Sequence, residues 1–201
     1  MKEFWDQRYS TKEYAYGKEP NSRFHSLINE LQPGRILLPG EGEGRNAVYA
    51  ARKGWEVHAV DQSAEGRCKA LTLAEESGVV IRYDVGDLTT MALPEGPYDL
   101  ISLIFVHLPP DVRPLVHQRL AGLLKAGGII HIVGFSPEQL LLQTGGPRDA
   151  ALLYTEELLR GDFSDLTQLE FVTIDDTFAE GPYHNGRYRA VEMIGVFNAQ
   201  R

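Results

Sequence analysis

The sequence contains one cysteine, Cys68, in 201 residues, which excludes an internal disulfide framework and a cysteine-rich zinc site. No stretch approaches the roughly 20 apolar residues of a membrane span. Residues 1–8 contain no apolar run, so we expect no secretory signal. No histidine pair has metal-ligand spacing, and we predict no metal. These absences predict a cytoplasmic protein in a reducing compartment.

A basic excess is also missing, because 28 acidic residues outnumber 20 basic ones and the formal net charge is −8. A phosphate backbone or an anionic membrane surface favours a basic partner. We therefore predict neither a nucleic-acid nor a membrane partner. A hydrophobic content of 43% is typical of globular proteins, and the length suits one domain over residues 1–201.

Short apolar runs alternate with longer amphipathic segments through the first two thirds of the chain. Ser63 is predicted to cap a helix that ends at Gly78, and Asp111 to cap one that carries Leu115 inward and closes at Gly127–Gly128. This alternation indicates βαβ units and a parallel sheet. The predicted strands cover residues 35–38, 56–60, 79–83, 100–106 and 129–133.

The last third has a different pattern. Residues 168–174 and 187–196 alternate polar and apolar side chains, with only the loop 175–186 between them. That loop is too short for a parallel crossover, so we predict an antiparallel pair at the sheet edge. The predicted fold is a doubly wound α/β domain with a mostly parallel seven-stranded sheet, helices on both faces and a C-terminal antiparallel hairpin.

The turn after the first strand, Gly40-Glu41-Gly42-Glu43-Gly44, resembles a nucleotide-binding loop. Its glycines let the backbone approach a ligand, and the next helix offers free N–H groups. Asp61, which ends the second strand, can accept both hydroxyls of a ribose, or can simply cap a helix. After the third strand, the Asp87 carboxylate can accept an adenine amine beside the Leu88 N–H, or can be an ordinary turn aspartate.

A dinucleotide is the alternative ligand, since Gly42, Gly44 and Ala47 fit the dinucleotide fingerprint. Glu41 and Glu43, however, place negative charge where a pyrophosphate would dock, and the terminal hairpin replaces further βαβ units. The acidic loop favours a cationic ligand. An NAD(P)-dependent oxidoreductase and a non-catalytic cofactor-binding module stay open as alternatives.

These motifs together resemble the class I S-adenosylmethionine-dependent methyltransferases, and in particular a bacterial branch related to tellurite-resistance and thiopurine methyltransferases. The general motifs are Gly40–Gly44, Asp61, Asp87-Leu88, Phe105–Pro109 and Leu124–Gly128. The blocks similar to the branch are Trp5–Tyr9, Glu13–Gly17, Pro20-Asn21, Thr144–Pro147 and Glu180–His184. One departure is Leu38, where many members of the family carry an acidic residue.

The resemblance implies S-adenosylmethionine as cofactor, S-adenosylhomocysteine as product, and residues 1–30 as a lid or helical arm. The missing acid at Leu38 would be replaced by Glu41 or by backbone groups. The predicted cofactor-binding residues are Tyr14, Gly40, Glu41, Gly42, Gly44, Asn46, Asp61, Gln62, Asp87, Leu88 and Phe105.

Methyl transfer from a sulfonium is an in-line displacement that depends mainly on alignment. The resemblance places Tyr14 or Tyr16 beside the methyl group, and His184 with Arg187 or Arg189 near an oxyanion. His107 follows the fourth strand, where ligands bind in such sheets. We therefore predict His107, His184, Tyr16 and Arg187 as catalytic, each with a structural alternative, and Arg148 as a further contact.

The other histidines and Cys68 are expected to be structural, with Cys68 as a small core residue. The length of the chain favours a small-molecule acceptor whose identity stays open, and a monomer or homodimer. Whether a general base takes part also stays open.

Overall fold

A computed structural model describes residues 2–198 of the chain. The helices are α1 (Lys2–Tyr9), α2 (Ser22–Glu30), α3 (Arg45–Arg52), α4 (Ala64–Glu76), α5 (Arg113–Ala121) and α6 (Glu156–Asp162). The strands are β1 (Arg35–Pro39), β2 (Glu56–Asp61), β3 (Arg82–Val85), β4 (Tyr98–Ile104), β5 (Leu124–Phe135), β6 (Thr167–Glu180) and β7 (His184–Phe197). Two 3₁₀ turns lie between β5 and α6, at Pro137–Leu141 and Ala150–Leu152.

The seven strands follow the order β3-β2-β1-β4-β5-β7-β6. β1 pairs with β2, β2 with β3 and β4 with β5 in parallel, whereas β7 runs antiparallel to β5 from Gly128↔Phe197 to Phe135↔Ala190. The predicted fold class, a parallel sheet completed by a C-terminal hairpin, is confirmed. By internal contacts the described residues form two compact units, 2–92 with 180–183, and 93–179 with 184–198.

In the first unit, β1 and β2 form the buried centre, as their continuous apolar sequences require. Ile36 and Leu37 of β1 and Ala59 and Val60 of β2 are inaccessible to solvent. The predicted cap of α4 is confirmed, because the Ser63 hydroxyl accepts the Gly66 N–H at 3.1 Å. These strands and the caps of α3 and α4 place the glycine turn at the carboxyl end of β1.

The second unit is built on β4, β5 and β7. Leu100, Leu103, Ile130 and Ile132 are fully buried along β4 and β5. Gly134 is required in β5 because a Cβ there would lie 2.4 Å from the buried Tyr154 ring. The strands therefore end in a densely packed region where side chains from the loops meet the sheet.

Several predicted boundaries were wrong. β3 begins at Arg82 instead of residue 79, and Val80 is 91% exposed. Gly127 and Gly128 lie inside β5, which starts at Leu124, and do not close α5. The predicted loop 175–186 shrinks to the short connection 181–183, because β6 and β7 are 14 residues each. Alternating polar residues can extend a strand at a sheet edge, where one face meets water.

Three side chains also differ from expectation. The residue that caps α5 is Val112, not Asp111, and Leu115 is 59% exposed. Cys68 is exposed on α4, so its prediction as a core residue was wrong. Within the described residues, no helix is both long and apolar enough to cross a bilayer.

Candidate active site

Asp61 organises the glycine turn at the carboxyl ends of β1 and β2. Its Oδ2 accepts the Gly42 N–H at 3.0 Å, and its Oδ1 accepts the Ser63 N–H at 2.8 Å. Burial raises the pKa of Asp61 to about 6, against the opposing effect of these backbone hydrogen bonds. Each carboxylate oxygen has a second lone pair, so Asp61 can hold the turn and still accept hydroxyl groups.

Two glycines of the turn are required by close contacts within the protein. Gly42 has a φ of 65°, and a Cβ there would lie 2.7 Å from the Tyr9 hydroxyl of α1. Gly44 has a φ of 87°, and its Cβ would lie 2.5 Å from the Ala70 Cβ on α4. The spacing of the glycines thus serves packing on α1 and α4, in addition to the ligand approach that we predicted.

The segment after β3 joins the same edge of the sheet. The Gly86 N–H donates to the Asp61 carbonyl at 2.9 Å, and Leu88 is buried. Asp87 itself is exposed, and its Oδ1 accepts the Thr89 N–H at 2.8 Å and the Thr89 hydroxyl at 2.7 Å. The predicted neighbours Asp61, Gln62, Asp87 and Leu88 therefore follow adjacent strands, and Asp87 also stabilises its own turn.

The two glutamates of the turn have different environments. Glu41 Oε1 accepts the Ala47 N–H at 2.7 Å, and burial raises the pKa of Glu41 to about 7 although Arg45 lies nearby. Glu43 Oε2 accepts the Ala15 N–H at 2.7 Å, while its Oε1 forms an ion pair with Lys69. The charge of Glu43 is therefore neutralised within the protein, and only Glu41 supports the argument for a cationic ligand.

The N-terminal arm, defined as residues 2–30, packs against this turn. Asn46 Oδ1 accepts the Asn21 N–H at 3.0 Å, so this predicted cofactor ligand holds the arm. The Tyr14 hydroxyl donates to the Lys69 carbonyl at 3.1 Å, which anchors the ring to α4. Tyr16 is half-buried, and its hydroxyl accepts from Arg8 at 3.1 Å.

In the second unit, Phe105 follows β4 in a left-handed conformation with a φ of 56°. For a bulky L-residue this conformation is strained, and such strain concentrates at functional sites. It directs the ring into a group of aromatic side chains, with ring centroids 4.4 Å from Phe135 and 5.2 Å from His184. We define the aromatic cluster as Phe105, Phe135, Phe178, His184 and Tyr188.

The geometry of His107 argues against its predicted catalytic role. Its Nδ1 lies 2.7 Å from the Leu152 carbonyl, and its Nε2 accepts the Phe135 N–H at 3.2 Å. Burial lowers the pKa of His107 to about 4, so the ring is neutral at pH 7. With both nitrogens engaged by backbone groups, the imidazole connects β5 to the turn at Leu152 and has no nitrogen left for a substrate proton.

The structure does not bring together His184 and Arg187, which we predicted to act near one oxyanion. Side chains alternate along a strand, and His184 and Tyr188 are buried while Arg187 is exposed. The Arg187 guanidinium binds both carboxylate oxygens of Asp175 at 2.7 Å, and Arg189 contacts the same carboxylate. Arg148 donates to the Leu142 carbonyl from an exposed loop.

Sequence reasoning missed several residues around the turn. Tyr83 of β3 donates its hydroxyl to the Gly42 carbonyl at 2.6 Å, and Tyr9 covers the other side of Gly42. Arg45, directly after Gly44, forms a buried ion pair with Glu180 at 2.9 Å. The available signal in the sequence was the position of the charged Arg45 directly after the last glycine of the turn. Within residues 2–198, no group of three histidine, cysteine or acidic side chains is arranged to hold a metal.

The chain is similar in sequence to known methyltransferases. Residues 36–128 match the family model of a methyltransferase domain. Hemagglutinin 1 of Eikenella corrodens is 29% identical over 127 residues, which are 60% of this chain and 42% of that protein. Protein-L-isoaspartate O-methyltransferase of Xylella fastidiosa strain M12 is 26% identical over 138 residues, 69% of this chain and 62% of that protein. The chain thus spans less than two thirds of either relative.

Solved structures show the same fold. One comes from a study of the conversion of a disulfide bond into a thioacetal group during echinomycin biosynthesis. It has a TM-score of 0.81 at 17% identity, and the match covers 98% of this chain and 92% of that chain. TehB from Haemophilus influenzae has a TM-score of 0.69 at 17% identity, over 97% of this chain and 66% of its own.

The family model and the Xylella relative are both methyltransferases by name. The segment 36–128, which matches a methyltransferase domain, contains the glycine turn, Asp61 and the Gly86–Leu88 segment. The match supports the predicted enzyme class for this segment. At 17% identity the likeness to TehB concerns the fold alone.

Proposed function

We propose that the protein transfers the methyl group of S-adenosylmethionine to a small-molecule acceptor. The observation that carries the proposal is the hydrogen-bonded edge at which Asp61 joins three segments. Its carboxylate binds the Gly42 N–H, and its carbonyl accepts the Gly86 N–H. This edge lies within the segment that matches a methyltransferase domain.

The residues at this edge fit the cofactor. Asp61 would accept the ribose hydroxyls with its remaining lone pairs, beside Gln62, and Asp87 with the Leu88 N–H would hold the adenine. Glu41 would bind the ammonium group of the methionine part, since Leu38 is buried in the core and carries no charge. When bound, the cofactor supplies an electrophilic methyl group on a cationic sulfur.

The chain's own task is then to orient the acceptor and exclude water. The aromatic cluster offers apolar faces, of which the half-buried Phe105 ring is the most accessible. Both nitrogens of His107 are engaged, so this residue cannot act as a general base. We therefore favour an acceptor whose nucleophilic atom carries no proton that must be removed. We propose Tyr16, in the first unit, as one candidate for acceptor contact and His184, in the second unit, as a separate candidate. A tellurite-resistance-type role is the finer assignment that we propose.

The test is calorimetric titration of the protein with S-adenosylmethionine and S-adenosylhomocysteine. We expect both to bind, and Asp61→Ala to weaken each by about a hundredfold or more, through lost hydroxyl bonds and a loosened turn. The matched control is Asp84→Ala, because Asp84 lies one strand away and pairs with His58 at 2.7 Å. Absence of binding at millimolar cofactor, or binding of reduced nicotinamide cofactors instead, would refute the proposal.

The acceptor is then sought with radiolabelled cofactor. Small acceptors include tellurite, selenite, thiols and thiopurines, and an isoaspartyl peptide tests the activity that names the Xylella relative. Label transfer to the peptide alone would contradict a small acceptor. If cofactor binds tightly but nothing accepts the methyl group, a non-catalytic binding module becomes the better description.

A further inference from the structure

A buried polar cluster joins three segments of the first unit that are far apart in the sequence. We define the latch cluster as Asn21, Arg45, Asn46 and Glu180. Asn21 belongs to the N-terminal arm, Arg45 and Asn46 begin α3 directly after the glycine turn, and Glu180 is the last residue of β6. We call residues 180–183, which end β6 and lead into β7, the connection 180–183. The members of the cluster therefore link the arm, the turn and the connection 180–183.

Two side chains carry most of the contacts. Arg45 Nη1 donates to the Tyr16 carbonyl at 3.0 Å and lies 2.9 Å from Glu180 Oε2. Glu180 Oε1 accepts from Asn21 Nδ2 at 3.2 Å. The side chains of Arg45 and Glu180 are only 9% and 16% exposed, so the ion pair is largely shielded from water. Glu180 thus neutralises the charge of Arg45, whose guanidinium also binds the arm through the Tyr16 carbonyl.

The backbone around Glu180 fits the arm closely. Gly181 has a φ of 68°, and a Cβ there would lie 2.7 Å from the Gly17 nitrogen and 2.8 Å from the Ala15 carbonyl oxygen. The Tyr183 ring stacks on the Arg8 guanidinium, with 3.8 Å from Arg8 Cζ to the ring centroid. These contacts independently show that the connection 180–183 is shaped to the arm.

The arm in turn covers the glycine turn. The Tyr9 hydroxyl occupies the space beside Gly42, and the Ala15 N–H donates to Glu43. The Asp6 carboxylate accepts the Ser63 hydroxyl at 2.6 Å, next to Asp61. A cofactor on the turn would therefore be enclosed by the arm, and anything that releases the arm would release the cofactor.

We infer that Glu180 is a positioning residue that holds the N-terminal arm closed over the glycine turn through Arg45 and Asn21. The part of this inference that concerns cofactor retention rests on the proposed function. Removal of the Glu180 charge leaves the buried Arg45 without its ion-pair partner, which favours an open arm in which the guanidinium reaches water.

The test compares Glu180→Gln with wild type in the full chain. Amide hydrogen exchange over residues 10–20 is measured without cofactor, and dissociation of S-adenosylhomocysteine is measured by stopped flow. We expect exchange and dissociation both to be about tenfold faster in the variant. We also expect a higher Kd for S-adenosylhomocysteine with unchanged amide exchange in β4 and β5, whereas a general loss of structure would raise exchange there as well and lower the thermal midpoint.

The matched control is Glu76→Gln, which removes the ion pair between Glu76 and Lys18 of the arm at 2.7 Å. Both side chains of that pair are about half exposed, so we expect neither readout to change. The double variant Arg45→Met/Glu180→Met removes both charges and is expected to recover part of the arm protection lost in Glu180→Gln.

Unchanged exchange over residues 10–20 in Glu180→Gln would overturn the inference, as would an equal effect of Glu76→Gln. If Glu180→Gln does not fold, Glu180→Asp keeps the charge on a shorter side chain and must show intermediate exchange. Failure of wild type to bind S-adenosylhomocysteine would refute the proposed function, while the exchange measurement without cofactor would still decide the role of Glu180.

Discussion

The surroundings of the glycine turn and the aromatic cluster use buried space in opposite ways. Around the turn, several buried side chains are charged, and Lys69 pairs with Glu43 as Glu180 does with Arg45. The aromatic cluster contains rings and a strained Phe105, without a carboxylate or guanidinium among its members. The difference supports the proposal that the first region binds a charged ligand and the second offers apolar contact.

The largest expected effect concerns the rigidity of the turn. In Gly44→Ala the new methyl would meet Ala70 Cβ at 2.5 Å and Ala70 Cα at 2.7 Å, at a φ of 87°. We expect a loss of about 4 kcal/mol in unfolding free energy, from overpacking and left-handed strain together. Urea denaturation measures it. Gly78→Ala, at a φ of 67° with open space around it, is the control and should lose only about 1 kcal/mol.

Equal losses in the two glycine variants would show that the turn is not packed against α4. The turn would then be no more rigid than an ordinary loop, and its surroundings could not be described as a preformed binding region.

The next largest effect is expected at His107, whose ring stacks on Phe135 of the aromatic cluster. It tests whether the His107 ring is buried and neutral. Its folded pKa is about 4, and an unfolded histidine titrates near 6.5. The unfolded state therefore binds the proton first as pH falls, so stability is complete above pH 6.5 and is lost toward pH 4. The contribution is about 3 kcal/mol, and the difference between wild type and His107→Gln isolates it.

Unfolding free energies of the two proteins are compared from pH 7.5 to pH 4. If their difference does not change with pH, His107 is accessible in the native state and its proposed exclusion from catalysis fails.

The fold could largely be predicted from the sequence, whereas the site could be predicted only in part. Continuous apolar strands and capped helices are local patterns, and so β1, β2 and α4 were found close to their true bounds. Asp61 was placed correctly at the carboxyl end of β2 because the apolar run before it marks the strand. Glu180 and Arg45 could not be paired in advance, since their contact depends on the folded arm.

The contacts of His107 and Arg187 differ from those that we expected, for related reasons. A polar residue near a strand end can face the ligand, the solvent or a loop carbonyl, and for His107 the sequence contains no signal for the choice. Leu152, which engages His107, lies 45 residues away in an irregular segment. For Arg187 the signal existed, because residues 184 and 187 have opposite parity in a strand, but the true start of β7 was missed.

A smaller effect concerns Glu41, the acidic residue that would face a cationic ligand. Its pKa is about 7, so it ionises as pH rises from 6 to 8. If only the carboxylate binds the ammonium group, affinity for S-adenosylhomocysteine should rise about tenfold over that range. Methylthioadenosine lacks the ammonium group and reports the effect of Asp61 alone. Calorimetric titrations of both ligands provide the measurement.

In Glu41→Gln, we expect the pH dependence for S-adenosylhomocysteine to match that for methylthioadenosine. The affinity at pH 8 should fall about tenfold for the first ligand only, since one charge-assisted bond is lost. A parallel loss for both ligands would mean that Glu41 supports the turn through Ala47, and that the ammonium group is bound elsewhere.

The smallest effect is expected at Arg187, which is exposed on β7 and belongs to neither of the two regions. Arg187→Ala removes an ion pair with Asp175 in which both side chains are exposed, and Arg189 still contacts that carboxylate. Neither stability nor cofactor affinity should change measurably, because solvent screens an exposed ion pair. His184 lies on the buried face of β7, and His184→Ala should by contrast lower the unfolding free energy by about 2 kcal/mol through lost stacking on Phe178.

If Arg187→Ala instead abolished methyl transfer while His184→Ala did not, the exposed face of the hairpin would be the acceptor side. The aromatic cluster would then be only a core.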